Sequence, residues 1–342
     1  MKEFLRKKNI IFSAKRYGID ALGAMAQGLF ASLLIGTIIS TLGEQLGIGI
    51  LVTVGGYAKG ATGAAMAISI GVALQCPPLV LFSLAAVGMA ANELGGAGGP
   101  LAVLVVTIFA AEFGKLVSKE TKIDILVTPA VTILIGVLIA EAVGPAVSAF
   151  MTGFGNVIMS ATEMQPLLMG VIVAVLVGIA LTLPISSAAI CMMLGLSGLA
   201  GGAATVGCCC QMVGFAVMSY RENGVGGLFA QGLGTSMLQM SNIIKNWKIW
   251  IPPTLASAIL GPLSTMVFKM ENIAIGSGMG TCGLVGQFGT ITAMTESGNT
   301  SSMMWVGILL LHFILPAIVT LIISEFMRAK NWIKPGDLKL DI

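Results

Sequence analysis

Charged side chains and histidine are what this sequence has little of. Only 10% of the 342 residues are charged, and His312 is the single histidine. A soluble domain carries about 25% charged residues, so the composition excludes an ordinary soluble domain. One histidine excludes a multi-histidine metal centre, and the six cysteines show no zinc-ligand spacing. We therefore expect no metal and no cofactor. A nucleotide-binding motif is also lacking.

Apolar residues dominate instead. Hydrophobic residues make up 56% of the chain, and the mean hydropathy is +0.97. These values predict an all-α, polytopic membrane protein that contacts membrane lipid. The predicted crossings, of which the third is short, lie near residues 19–43, 50–72, 78–93, 100–117, 124–147, 165–182, 249–268 and 302–327. Shorter apolar pieces lie at 186–200, 203–218, 226–243 and 275–293.

Lysine and arginine at the chain ends and in a few loops predict the orientation. The net charge of +3 is small and gives no support for nucleic-acid binding. By the positive-inside rule both termini lie in the cytoplasm. The pieces 226–243 and 275–293 must then enter and leave the membrane on the same side. This predicts about ten transmembrane helices plus two re-entrant segments, and twelve full crossings is the alternative.

The same pattern predicts the division of the chain. Residues 1–16 form a cytoplasmic basic segment, residues 17–327 a single transmembrane transport domain, and residues 328–342 a cytoplasmic tail. Glu112, three residues before Lys115, is interpreted as a group that reaches the membrane interface.

Glycine and proline mark two places where helices should break. Residues 275–290 are apolar but too rich in glycine for an ordinary helix, which predicts a broken or re-entrant segment facing a polar site. Tight helix packing through small residues is the alternative. Pro184 predicts a second break, because it removes a backbone donor and disfavours helix in the preceding residue.

An internal repeat predicts two related halves. Residues 26–34 (AQGLFASLL) recur as residues 230–238 (AQGLGTSML). The repeat places Gln27 and Gln231 in corresponding positions, and transporters commonly bind substrate where such halves meet.

Neutral polar side chains within the apolar runs are the candidate site. Amides both donate and accept hydrogen bonds, which favours a neutral or weakly charged polar solute. Hydrogen bonding between helices is the alternative for each residue, and for His312 as well. The predicted substrate-binding residues are Gln27, Ser186, Ser187, Gln231, Thr235, Ser236, Gln239, Asn242, Thr281, Gln287 and Thr290. We identify no catalytic constellation.

Several motifs resemble a known family. They are residues 122–129 (KIDILVTP), 181–190 (LTLPISSAAI), 211–223 (QMVGFAVMSYREN), 232–239 (GLGTSMLQ) and 278–287 (GMGTCGLVGQ). Over nearly the whole chain they resemble the phosphotransferase-system EIIC-like membrane proteins, a family that includes PfoR-type regulators of toxin expression. The resemblance implies a multi-pass protein of the bacterial plasma membrane related to a sugar permease subunit.

The resemblance and the residues together predict a permease for a small polar solute, a sugar or related compound. Phosphorylation of the solute requires a separate cytoplasmic IIB-type protein, since this chain contains no such domain. The chain is at most the membrane subunit of a sugar phosphotransferase system. A homodimer is implied by the resemblance and by the small-residue helix faces. A membrane sensor or regulator without net transport is the alternative function.

Overall fold

A computed structural model describes residues 2–299 and 302–340. Helices account for nearly all of the regular structure in these ranges, and the described residues contain no β-strand apart from an isolated bridge between Gly198 and Asn272. The prediction of an all-α fold is confirmed. The chain forms two compact units: the N-terminal unit, Met1–Met151, and the C-terminal unit, Thr152–Ile342. The boundary falls inside one long helix, α8.

The N-terminal unit contains the first helices of the chain. They are α1 (Lys2–Lys7), α2 (Ala21–Leu29), α3 (Ile35–Leu46), α4 (Gly49–Gly60), α5 (Thr62–Ala73), α6 (Pro78–Leu94), α7 (Gly99–Val117) and most of α8 (Asp124–Thr162). A π-helical turn, Phe30–Leu34, joins α2 and α3 into one continuous rod. The predicted run 50–72 is two helices, α4 and α5, that meet at Ala61.

The basic N-terminal segment packs onto the end of α7. Lys115 is almost completely buried and pairs with Glu112 at 2.8 Å. Its ammonium also donates to the carbonyl of Asn9 at 3.2 Å, and Tyr17 donates to Glu112 at 3.0 Å. Glu112 is therefore part of an ion pair that the i,i+3 spacing allows, and the packing of the N-terminal segment buries it. Residues 1–16 are in part integrated into the N-terminal unit.

The C-terminal unit contains the remaining helices. They are α9 (Pro166–Thr182), α10 (Ser187–Leu194), α11 (Gly198–Met218), α12 (Tyr220–Phe229), α13 (Met240–Lys245), α14 (Ile251–Pro262), α15 (Ala274–Ser277), α16 (Val285–Glu296), α17 (Ser302–Leu309) and α18 (Leu315–Ala329). α11 is the central helix of this unit and packs against α9, α14 and α18. Its side chains are buried along almost its whole length.

Small residues allow the neighbours of α11 to approach closely. A Cβ on Gly207 would lie 1.9 Å from the carbonyl oxygen of Ala174 on α9. Only glycine fits at such a contact, and close backbone approach through small residues is typical of helices packed within membranes. The many glycine, alanine and cysteine residues of α11 therefore allow this helix to lie at the centre of the unit with its neighbours packed closely around it.

α18 has polar residues inside and apolar residues outside. Thr320 and Ser324 are fully buried, whereas Ile318, Ile322 and Phe326 are about half exposed. This arrangement is the reverse of a soluble amphipathic helix, and it suits a helix whose outer face contacts lipid. It supports a membrane location independently of composition.

The described residues contain six helices long and apolar enough to cross a membrane. They are Arg16–Leu46, Gly96–Val117, Asp124–Thr162, Gly198–Met218, Trp247–Phe268 and Ser302–Ala329, and shorter apolar helices accompany them. The protein is a multi-pass membrane protein. The predicted run 124–147 is too short: α8 has 39 residues and is about 58 Å long, well beyond the roughly 30 Å of hydrocarbon. Pro129 and Pro145 lie within it, as transmembrane helices tolerate.

The two copies of the repeat differ in backbone structure. The first copy lies in the continuous rod of α2 and α3. The second begins with a π-helical turn, Ala230–Gly234, and then breaks at Thr235, which is extended. The first copy therefore lies in a continuous helical rod, whereas the second lies in an interrupted segment.

Candidate functional site

The glycine-rich segment is interrupted, as its sequence predicts. A turn and a short 3-10 segment, Cys282–Leu284, separate α15 from α16. Gly280 has a φ of 54°, a backbone conformation that a side chain would strain. A Cβ on Gly280 would also lie 2.7 Å from the Cβ of Cys208 on α11. Glycine therefore allows this turn to lie directly against the central helix.

A second interruption separates α9 from α10 at Pro184. α9 ends at Thr182, as expected of a helix that approaches a proline. The Ser186 hydroxyl caps α10 by accepting a backbone N–H of its first turn at 3.2 Å. Ser187 donates to the carbonyl of Gly278 at 2.6 Å. The break at the proline is thus hydrogen-bonded to the glycine-rich turn.

A third interruption lies at Thr235. Its backbone is extended between the π-helical turn and the 3-10 segment Ser236–Gln239, and its hydroxyl accepts the N–H of Met237 at 3.1 Å. Thr281 donates to the carbonyl of Gly232 just before this break. The glycine-rich turn is therefore hydrogen-bonded to both other interruptions.

Ser236 belongs to a buried network around Gln211. The amide oxygen of Gln211 accepts from Thr182 at 3.2 Å and from the Trp250 indole at 3.0 Å, and its nitrogen donates to Thr254 at 3.2 Å. The hydroxyls of Thr182 and Ser236 are 2.7 Å apart. Since these polar groups satisfy one another, the network holds α9, α11 and α14 together.

Gln231, Gln239 and Asn242 form a chain of amides. Gln239 donates to Gln231 and Asn242 donates to Gln239, each at 2.9 Å. The nitrogens of Gln239 and Asn242 also donate to the carbonyls of Leu338 and Lys339, at 3.0 and 2.8 Å. These predicted site residues therefore hold the C-terminal segment of the chain in this conformation.

Thr290 is held by Asn272, which is not among the predicted site residues. The Asn272 nitrogen donates to Thr205 at 2.6 Å, to the carbonyl of Gly286 at 2.9 Å and to Thr290 at 3.1 Å. Asn272 is completely buried. Its position in an apolar chain, just before the glycine-rich segment, was the available signal.

Gln287 retains unused hydrogen-bonding capacity. Its amide nitrogen lies 3.2 Å from Nδ1 of His312 and 3.6 Å from Sγ of Cys209. Gln287 Oε1 and His312 Nε2 are buried and have no hydrogen-bond partner among the described residues. An unsatisfied buried polar group costs about 1–3 kcal/mol. Two such groups therefore lie on residues that contact each other.

A proline explains the backbone around His312. His312 lies in the π-helical turn Leu310–Ile314 between α17 and α18. Pro316 follows four residues later, and a proline ring clashes with the carbonyl of the residue four positions before it. The turn widens to relieve that clash, and such π-helical turns are frequent at functional sites.

Gln27 lies apart in the chain from the other predicted site residues. It is on α2 in the N-terminal unit, where its side chain is exposed. The remaining predicted residues all belong to the C-terminal unit and lie in the interrupted segments or the amide chain. Within the described residues, no group of three His, Cys, Asp or Glu side chains is arranged to hold a metal ion.

The fold and these buried interrupted segments define a multi-pass helical membrane protein with polar groups enclosed among its helices. A family model described as Phosphotransferase system, EIIC matches residues 19–340. The chain belongs to this family and is a membrane permease component of a phosphotransferase transporter. This confirms the resemblance to the EIIC-like membrane proteins. Searches of the curated proteins and of the solved structures found no match.

Proposed function

We propose that this chain moves a small polar solute, a sugar or a related polyhydroxy compound, through the membrane by alternating access. Family membership supports transport. The observation that carries the solute site is the unpartnered, buried amide oxygen of Gln287 beside the interrupted backbone of the glycine-rich turn. A transporter binding region combines broken helices with polar groups in this way.

The proposed site centres on Gln287, with Thr281 and Thr290 of the same segment beside it along the chain. Ser186 and Ser187 approach from the proline break. The hydroxyls of these residues have protein partners in this conformation, so they contribute to the site chiefly by fixing the interrupted segments. We propose further contributors that would contact the solute in a conformation other than the one described. They are Gln27, Gln231, Thr235, Ser236, Gln239 and Asn242.

We expect the three interrupted segments of the C-terminal unit to move during transport. Regular helix carries a ladder of backbone hydrogen bonds, whereas a few side-chain bonds, such as those of Ser187 and Thr281, tie the broken segments together. Gln287 is only 6% exposed, so solute must enter by a change of conformation. Exchange of a few hydrogen bonds at the breaks would open the site without unfolding a helix.

The single test of the site is Gln287→Ala. We expect loss of solute uptake with normal amounts of protein in the membrane. The matched control is Gln165→Ala, because Gln165 is an exposed amide before α9 that makes no capping hydrogen bond. Normal uptake by the Gln287 variant would remove the site assignment.

We further propose that a separate cytoplasmic IIB-type protein phosphorylates the solute during transport. In this proposal the chain works as a homodimer in the bacterial plasma membrane with both termini in the cytoplasm. The test is the chemical state of accumulated solute in cells that carry every phosphotransferase component. Phosphorylated solute supports the coupling, and accumulation of unmodified solute rules it out.

A sensor without net transport, as in PfoR-type regulators, is the second candidate. The observation that favours it is that Gln239 and Asn242 hold the C-terminal segment. Movement of the interrupted segment would break these hydrogen bonds and make the C-terminal segment accessible to a partner protein. Solute binding to purified protein without counterflow in liposomes would favour the sensor over the permease.

A further inference from the structure

A cavity of about 340 Å³ opens at the surface of the C-terminal unit, between α18 and the adjoining ends of α11 and α12. Val217, Leu228 and Leu321 supply apolar side chains to its lining, and Arg221 and Glu325 supply its charged groups. The volume is at the lower end of the range for small-ligand pockets, roughly 300–1,000 Å³. The cavity can therefore hold a small charged group together with the start of an apolar chain.

The cavity lies at the level of the lipid head groups. α17, the π-helical turn and α18 form one rod of 28 residues, Ser302–Ala329, about 42 Å long. This length matches the roughly 40–45 Å of a bilayer with its head groups. Glu325 precedes the end of the rod by one turn, about 6 Å, and Lys330 follows that end. An exposed carboxylate at this depth faces head groups rather than hydrocarbon.

Two ion pairs join α12 to α18, and they differ in burial. Arg328 pairs with Glu222 at 2.9 Å, and both side chains are almost completely covered. Arg221 pairs with Glu325 at 3.0 Å, but these side chains are 68% and 46% exposed. An exposed ion pair contributes little to stability. The buried pair therefore holds the two helices together, whereas the exposed pair at the cavity can exchange partners at little cost.

The exposed pair matches a zwitterion. A guanidinium binds phosphate through several N–H groups, and Glu325 contacts only Nη1 of Arg221. A carboxylate accepts hydrogen bonds from a primary ammonium. An ethanolamine phospholipid carries a phosphate and a primary ammonium in one short head group, so it can engage both side chains at once. A choline head group has no N–H to donate, and a glycerol head group has no cation for Glu325.

Apolar surface continues from the cavity along both helices. Ile318, one turn before Leu321 on the outer face of α18, is about half exposed. Phe229, next to Leu228 on α12, is 58% exposed. Pockets between transmembrane helices that combine a basic group with apolar walls bind lipid head groups. A phospholipid is the occupant that covers the charged and the apolar parts of this surface together.

We propose that this cavity binds one phospholipid with an ethanolamine head group. Its phosphate contacts Arg221, its ammonium contacts Glu325, and its acyl chains lie along Leu321 and the outer face of α18. The lipid replaces one exposed ion pair by two contacts of its own and fills the space between α12 and α18. The site does not depend on the proposed solute site, since none of the predicted solute-binding residues lines the cavity.

The first measurement is a lipid titration of the detergent-purified full chain, read by native mass spectrometry. Three phospholipids with identical dioleoyl chains and ethanolamine, choline or glycerol head groups are compared. We expect one tightly retained lipid per chain and a preference for ethanolamine of about two- to fivefold, the range of one partly exposed ion pair. Equal retention of the three lipids, or a preference for choline or glycerol, would overturn the inference.

A water-soluble competitor tests the role of the acyl chains. Glycerophosphoethanolamine carries the same head group without them, and it should not displace the lipid at equal concentration. Displacement by this compound would show that the apolar surface contributes nothing and that a lipid is not the occupant.

The last measurement repeats the titration with variants. Glu325→Gln leaves Arg221 as an unpaired cation, so the preference should shift from the ethanolamine lipid to the anionic glycerol lipid. Arg221→Gln should weaken retention of all three lipids. Lys330→Gln is the matched control, because it removes a cation from the same end of α18 that lies over the Phe326 ring and does not line the cavity. An unchanged preference in Glu325→Gln, or equal losses in Arg221→Gln and Lys330→Gln, would contradict the proposal.

Discussion

The side-chain amide of Gln239 donates a 3.0 Å hydrogen bond to the backbone carbonyl of Leu338, 99 residues further along the chain. Leu338 is fully buried in an apolar cluster with Phe215 and Ile249. The segment after α18 is thus a packed part of the C-terminal unit. Whatever its side of the membrane, it is not a solvated tail.

The first prediction tests this packing. Leu338→Ala should lower the free energy of unfolding by about 2–5 kcal/mol, because it leaves a cavity in the apolar cluster. Lys339→Ala is the matched control: its side chain is exposed, and only its backbone carbonyl accepts from Asn242. Melting temperatures of the two purified variants provide the check. Equal melting temperatures would mean that the segment is not docked in solution.

The second prediction concerns the buried ion pair of the N-terminal unit. Lys115→Met leaves the Glu112 carboxylate without its cation and should destabilise this unit by about 3–5 kcal/mol. The double variant Lys115→Met with Glu112→Gln should recover most of that loss, since the introduced amide is uncharged and its oxygen can still accept from Tyr17. A double-mutant cycle of thermal stability measures the coupling. Additive effects of the two changes would argue against a paired, buried arrangement.

The third prediction concerns close packing on α11. Gly207→Ala places a methyl group 1.9 Å from the Ala174 carbonyl oxygen, which forces α9 and α11 apart. We expect destabilisation by about 1–3 kcal/mol or more. Gly226→Ala is the control, since a Cβ there meets nothing within 4 Å and alanine is the better helix former. Thermal stability of both variants is compared; a harmless Gly207→Ala would be inconsistent with the contact.

The fourth prediction concerns the network around Gln211. Gln211→Leu leaves the Trp250 indole and the Thr182 hydroxyl without this acceptor, which should destabilise the unit by about 1–3 kcal/mol and alter tryptophan emission. Thr254→Val removes the acceptor of the Gln211 nitrogen and the donation to the Trp250 carbonyl but leaves the indole bond to Gln211, so it should have a smaller effect on both readouts. If the Thr254 variant is the less stable of the two, Gln211 is not the centre of the network.

Local chemistry explains which parts of the fold were predictable. The break before α10 follows from Pro184, and the turn at Gly280 follows from a backbone conformation that favours glycine. The length of α8 was missed because the prediction allowed only the roughly 17–25 residues that one crossing needs, whereas the helix continues to Thr162. The break at Thr235 falls where the two copies of the repeat differ, since Gly234 and Thr235 stand in place of Phe30 and Ala31 of the helical first copy.

Residue type alone indicated which side chains are buried polar groups, but not what each of them does. Buried amides and hydroxyls had to be paired, yet their partners are distant in sequence. Gln239 and Asn242 hold the C-terminal segment, and Gln211 and Asn272 tie helices together. Their own sequence neighbourhoods do not distinguish these four residues from Gln287.

The sequence by itself determined the membrane class, the EIIC family and the positions of the glycine and proline breaks, because composition and backbone stereochemistry act locally. The tertiary structure alone decided which polar groups are satisfied and which are not. It placed Gln287 against His312 with one unpartnered polar atom on each, and it buried Lys115 against Glu112. Hydrogen-bond satisfaction depends on which distant segments meet, and that is a property of packing.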